Sequence, residues 1–278
     1  TTTILAEFQV LLRPLQGPDR RFLHFCTHWF ELGNLKTLLR GKLGGLGDAE
    51  VRQYLTDTAP FVSLPIEELL RSEDPAEMLR RLEATHYEDI ARQARQTYAE
   101  RKDPFFLDAS IDRRYFVALH HRANELGDDQ RAPVQRLVGC MIDRFNLLWL
   151  LRYRLSYNIS PAETYYLLIP VGHALTSEHL TALVQMGSLG EVLAALPQPL
   201  RPVFEGAETL TEVENRMEVR TRQVMAATLG DNLHPMARAF AYAVLRDMEL
   251  RQLLAVVKGR RLGFDPALTR FAASLTVH

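Results

Sequence analysis

The sequence predicts an all-α fold, and three observations carry that reading. Apolar residues recur at helical spacing along most of the chain, as at Leu32, Leu35, Leu38 and Leu39. Alternating apolar and polar runs of the kind a half-buried strand needs are not evident. One helical pattern also returns three times, beginning at Glu31, Asp143 and Glu249.

The elements follow in order. Residues 4–15 form an apolar-rich opening segment. Pro18 suits a helix start, and residues 19–42 read as one long helix. The stretch from Gly33 to Gly47, GNLKTLLRGKLGGLG, brings a lysine among glycines. A phosphate-cradling loop would need Ser or Thr after Gly41-Lys42 and a glycine five positions before Gly41. The chain has Leu43 and Lys36 there. The glycines therefore read as the stop of a helix, since glycine takes the left-handed conformation that ends one.

Short helices are expected over 64–71 and 75–84, and long ones over 87–101 and 110–126. Pro133 opens a further helix to about residue 155, and Pro161 begins another. Short helices over 176–186 and 189–196 lead to Pro197, Pro199 and Pro202, which break the chain. Two long helices, 209–229 and 233–260, precede a short tail after Asp265-Pro266.

Composition narrows the function classes. The chain has 278 residues, 33 Lys plus Arg against 34 Asp plus Glu, and a net charge of −1. A dedicated nucleic-acid binder shows a basic excess instead. The two cysteines, Cys26 and Cys140, make no disulfide framework and fit a reducing compartment. No apolar run approaches the ~20 residues a bilayer crossing needs, and no signal peptide is visible. His24 and His28 lie four apart on a helix, a spacing that can share a metal. No third ligand is apparent, and His86, His173, His179 and His234 have no partner at a useful spacing, so no metal is assigned. No nucleophile motif occurs. No catalytic residue and no cofactor is expected.

The repeat is the informative feature. Its pattern is acid, amide, leucine, two aliphatics, then two bases. The copies are Glu31, Asn34, Arg40 and Lys42; Asp143, Asn146, Arg152 and Arg154; and Glu249, Gln252, Lys258 and Arg260, each set with its intervening apolar residues. Two short helices follow the first two copies, and IDRRYFVAL and VENRMEVRT precede the second and third at similar offsets. The unit is two long helices followed by short ones, over 1–86, 87–197 and 198–278. The first lacks most of its leading long helix, and the last lacks its short helices. Acid and amide sit three apart and share a helix face. The bases lie in the final turn, where cations favour the negative end of the helix dipole. In the plainer reading the acids pair with bases on a neighbouring long helix, such as Arg114 or Arg216.

DRFNLLWLLRYRLSYNISPAETYYLLIPVG, with the preceding DASIDRRYFVAL, resembles the C subunit of the bacterial and archaeal V/A-type ATPases, the counterpart of the eukaryotic d subunit. ELGNLKTLLRGK and RDMELRQLLAVVKGRRLG match the same family, and the resemblance covers nearly the whole chain. It implies three similar helical units around a pseudo-threefold axis, forming a funnel. It also implies a non-catalytic rotor component, peripheral to the membrane on the cytoplasmic side. Such a component is a socket between the central stalk and the proteolipid ring. The twelve polar positions of the three copies would then face its lumen or rim. Members usually begin with several tens of residues more, so either this sequence is trimmed or the first unit is open. An α-helical repeat scaffold for another partner stays as the alternative.

Overall fold

The long helices are set by their ends. Gly17 turns the chain with φ +54°, Pro18 and Asp19 occupy the first turn of the helix Gly17–Leu43, and Arg40 and Lys42 sit in its last. That charge order suits the helix dipole. The helix stops where Gly45 adopts φ +68°, with Leu46 N–H on Gly41 O at 2.9 Å and Gly45 N–H on Lys42 O at 3.2 Å. These two bonds satisfy carbonyls the helix end leaves open. Gly44 and Gly45 are thus the stop. Gly41 has another role, because a Cβ there would run into Val51 Cγ2.

The structure is a computed structural model describing residues 2–61, 63–261, 263 and 265. Among these there are thirteen α-helices and no strand. They are α1 Thr2–Leu12, α2 Gly17–Leu43, α3 Asp48–Arg52, α4 Ile66–Leu70, α5 Pro75–Leu82, α6 Glu88–Glu100 and α7 Pro104–Asn124. After these come α8 Asp128–Leu151, α9 Pro161–Leu167, α10 Ser177–Leu183, α11 Leu189–Ala194, α12 Leu210–Leu229 and α13 Pro235–Arg261. A π-turn, Arg152–Ser156, prolongs α8, and a 3₁₀ turn, Arg201–Phe204, precedes α12. The expected tail after Pro266 lies outside the described residues.

One helix is unexpected and two starts differ from expectation. The five-residue α3 is too short to show a period. Helix α7 begins at Pro104, earlier than residue 110, because Asp103 caps Phe105 N–H at 2.8 Å. Helix α8 begins at Asp128, so Pro133 lies inside it and does not open it. Proline in that second turn removes one N–H bond, while Asp128 and Asp129 favour the positive end of the dipole.

The chain divides into two compact units, Thr1–Glu125 and Leu126–His278. In the first, α2 and α7 run antiparallel and α6 packs on α7 and α5. Lys36 Nζ meets Asp112 Oδ1 at 2.7 Å, and Arg40 pairs with Asp108 one turn away. Phe25 stacks on Tyr115 with ring centroids 5.2 Å apart. Leu32, Leu35, Leu38 and Leu39 are fully buried, each contributing about 1.5–3 kcal/mol. In the second unit, α8 packs on α12 and α13. Arg144 meets Glu218 at 3.0 Å, and Arg152 meets Glu214 at 3.2 Å. Two antiparallel helix pairs are therefore stapled alike, by two bases against acids four residues apart.

Gly41→Ala is expected to lower unfolding free energy by about 1–3 kcal/mol, through the Val51 clash. Gly33→Ala on the same helix meets nothing within 4 Å and should raise it by about 0.5–1 kcal/mol. Urea unfolding of the two variants checks the contrast.

Candidate functional site

The repeated polar pair works as a clasp. Glu31 is 1% exposed, and its Oε1 accepts Ser63 N–H at 2.5 Å and Leu64 N–H at 3.0 Å. Its Oε2 accepts the hydroxyls of Ser63 and Tyr87. One turn on, Asn34 Nδ2 donates to Thr56 O at 2.7 Å and its Oδ1 accepts Thr56 N–H at 2.8 Å. The two side chains thus bind the loop returning from α3 to the face of α2.

The second copy repeats this. Asp143 accepts the N–H groups of His173 at 3.0 Å, Ala174 at 2.7 Å and Leu175 at 3.0 Å. Asn146 holds Ile169 by the same two bonds, 2.9 Å to its carbonyl and 2.8 Å from its N–H. Burial pushes the Asp143 carboxyl above its ordinary value, against the pull of the three N–H donors. Gly172 lets the loop approach, since a Cβ there would lie 2.6 Å from both Asp143 Oδ1 and Leu175 O.

The third copy differs. Glu249 is exposed and accepts from Arg246, three residues before it on the same helix. Gln252 is half-buried and donates to Glu218 Oε1 over 3.4 Å. Among the described residues no short-helix pair follows α13.

The structure therefore puts four of the twelve positions expected on a lumen or rim, Glu31, Asn34, Asp143 and Asn146, inside the chain. The acids do not pair with Arg114 or Arg216 as the plainer reading has it. Arg114 meets Asp89 at 3.2 Å, and Arg216 donates to Glu205 O at 2.6 Å. The bases split. Arg40, Arg152 and Arg260 are exposed, and the first two reach Asp108 and Glu214. Lys42 is half-buried against Asp48 at 3.2 Å, and Arg154 donates to Val184 O at 2.8 Å and to Ile159 O. The Lys258 side chain lies outside the described residues.

Histidines gather at the first clasp. His28 lies between His24 and His86, with ring centroids at 5.5 and 5.1 Å. His86 Nε2 is 3.1 Å from Ser63 Oγ. Burial holds the His28 imidazole down to about 4. Sequence spacing alone leaves His86 without a partner. Its ring meets α2 only because the clasp turns the chain back, which no spacing shows. Burial also pushes the Cys140 thiol up to about 11, and that of buried Cys26 higher.

The family model for the ATP synthase (C/AC39) subunit matches residues 1–270. The chain belongs to the ATP synthase (C/AC39) subunit family. It is similar to the C subunit of the A-type ATP synthase of Thermococcus kodakarensis, 23% identical over 96% of this chain and 72% of that one. It is also similar to the proteins of the same name in Methanothermobacter thermautotrophicus, at 25% over 87% and 64%, and Methanocaldococcus jannaschii, at 24% over 90% and 65%. The chain thus spans about two thirds of the length of these curated relatives. For this C/AC39 chain, no described helix is long and apolar enough to cross a membrane.

Asn146→Ala strands both backbone groups of Ile169 in a buried setting, and is expected to cost about 2–4 kcal/mol. Gln252→Ala should stay within about 0.5 kcal/mol; urea midpoints compare them. Gly172→Ala should cost about 1–3 kcal/mol and speed amide exchange at His173, Ala174 and Leu175, read by hydrogen–deuterium exchange.

Proposed function

We propose that this chain is a non-catalytic coupling component of a V/A-type ATPase. It forms a socket that receives the central stalk and rests on the proteolipid ring. It acts during ATP-driven ion transport or ATP synthesis, peripheral to the membrane on the cytoplasmic side. Membership of the C/AC39 family carries this reading. Two clasped helices with the same hydrogen bonds, on α2 and α8, support it by supplying rigid walls of one pattern.

In this reading the three units, 1–86, 87–197 and 198–278, are arranged about a pseudo-threefold axis. The clasped residues Glu31, Asn34, Asp143 and Asn146 shape the wall from within. The exposed polar groups Arg40, Arg152, Glu249 and Arg260 meet the partners, with Lys42, Arg154, Gln252 and Lys258 beside them. Exposed charges steer association and set its salt dependence more than they set raw affinity.

Co-purification tests the proposal. The chain, tagged and expressed with the other components of its ATPase, is expected to retain the central stalk and the proteolipid ring. Arg40→Gln with Arg152→Gln should weaken that capture about tenfold at moderate salt, with unchanged far-ultraviolet circular dichroism. Retention of neither partner would overturn the coupling role and favour an α-helical scaffold for a different protein.

A further inference from the structure

We propose that His28, Glu31 and His86 form a zinc site that ties α2 to the turn before α6. One ligand atom from each residue falls within 4.8 Å of the others, and among the described residues this is the one such group of three. Two imidazole nitrogens and a carboxylate oxygen are a donor set that zinc takes, with a fourth position for water. The residues come from two places. His28 and Glu31 are three apart on one face of α2, while His86 stands at the surface in the turn that ends at Tyr87.

The geometry needs one adjustment. Zinc bonds of about 2.0–2.2 Å put tetrahedral ligands about 3.3–3.6 Å apart, so the group must close by up to about 1.5 Å. His86 is the exposed member and sits in a turn, so its side chain is the one that moves. Glu31 already accepts four donors, and Ser63 Oγ, shared between Glu31 and His86 Nε2, lies where the ion would go. The hydroxyl rotates aside, whereas the two backbone N–H groups on Oε1 and the Tyr87 hydroxyl stay and orient the carboxylate as outer-shell partners. The bound ion thus takes the place of the Ser63 hydroxyl and leaves the other three donors of the clasp.

The second copy provides an internal contrast. Cys140 precedes Asp143 by the three residues that separate His28 from Glu31. Among the described residues no third ligand meets that pair. The site belongs to the first clasp alone, and its role there is to stiffen one wall.

Cobalt titration of the whole chain under reducing conditions, followed by zinc competition, tests the site. Visible d–d absorption saturating at one ion per chain is expected, together with a zinc-induced rise in melting temperature that a chelator reverses. His86→Ala removes an exposed side chain and should leave the fold intact while weakening binding about 100-fold or more. His28→Gln should do the same, and His121→Ala, on α7, should bind as the parent does. Failure to bind one ion, or binding that His86→Ala leaves unchanged, would overturn the proposal. Binding lost in His28→Gln but kept in His86→Ala would overturn it as well, by placing the ion on His24 and His28.

Discussion

In each described unit one long helix, α2 or α8, holds a returning loop through buried side chains that hydrogen-bond its backbone. A loop carries N–H and C=O groups that must find partners once it is covered. Here the partners come from a helix face. The chemistry of each position matches what the loop presents. At Thr56 and Ile169 the backbone offers one donor and one acceptor, and a carboxamide answers both. At Ser63–Leu64 and at His173–Ala174–Leu175 successive N–H groups converge, and an acceptor-only carboxylate answers them. The order acid then amide on the helix is therefore a template for the loop's course.

The clasps also fix what the rest of each unit can do. With the loop held, α2 and α8 are buried on the clasp face and still offer another face to a long antiparallel helix. The ion pairs Lys36–Asp112 and Arg40–Asp108 on one, and Arg144–Glu218 and Arg152–Glu214 on the other, lie on that second face. Their acids are four residues apart in both cases. The structural match thus sets Asp108 against Glu214, four residues off the alignment of Asp112 with Glu214 that the sequence suggests. The apolar layer between supplies most of the stability, and the exposed ion pairs among these add a smaller contribution.

Much of the fold was legible from spacing. Long helices show their period, and Thr209 with Glu212, or Ser160 before Pro161, announce starts. The five residues of α3 show no period, and Pro133 misleads because it lies inside α8, which already begins at Asp128. The site was legible only in part. The pattern of acid, amide and bases could be read three times, but not which way the acids point. A polar residue on an apolar helix face has the same signature whether it meets an arginine on a neighbour or the N–H groups of a loop. His86 lies 55 residues beyond Glu31, and only the loop's course brings the two together.

The third copy carries the same pattern in a different setting. Leu35 and Leu147, beside the amides of the first two copies, are 0% exposed, whereas Leu253 beside Gln252 is 64% exposed. Leu254 and Val257 are exposed with it. The three helices share one sequence pattern and sit in the same order relative to their bases. Helices α3 and α5 pack on α2 beside the loop that Glu31 and Asn34 hold, and Asp143 and Asn146 hold a loop on α8. At the first two copies a buried leucine goes together with a loop held on the helix. Glu31 and Asp143 accept loop N–H groups inside the chain, and Glu249 accepts from Arg246 at the surface.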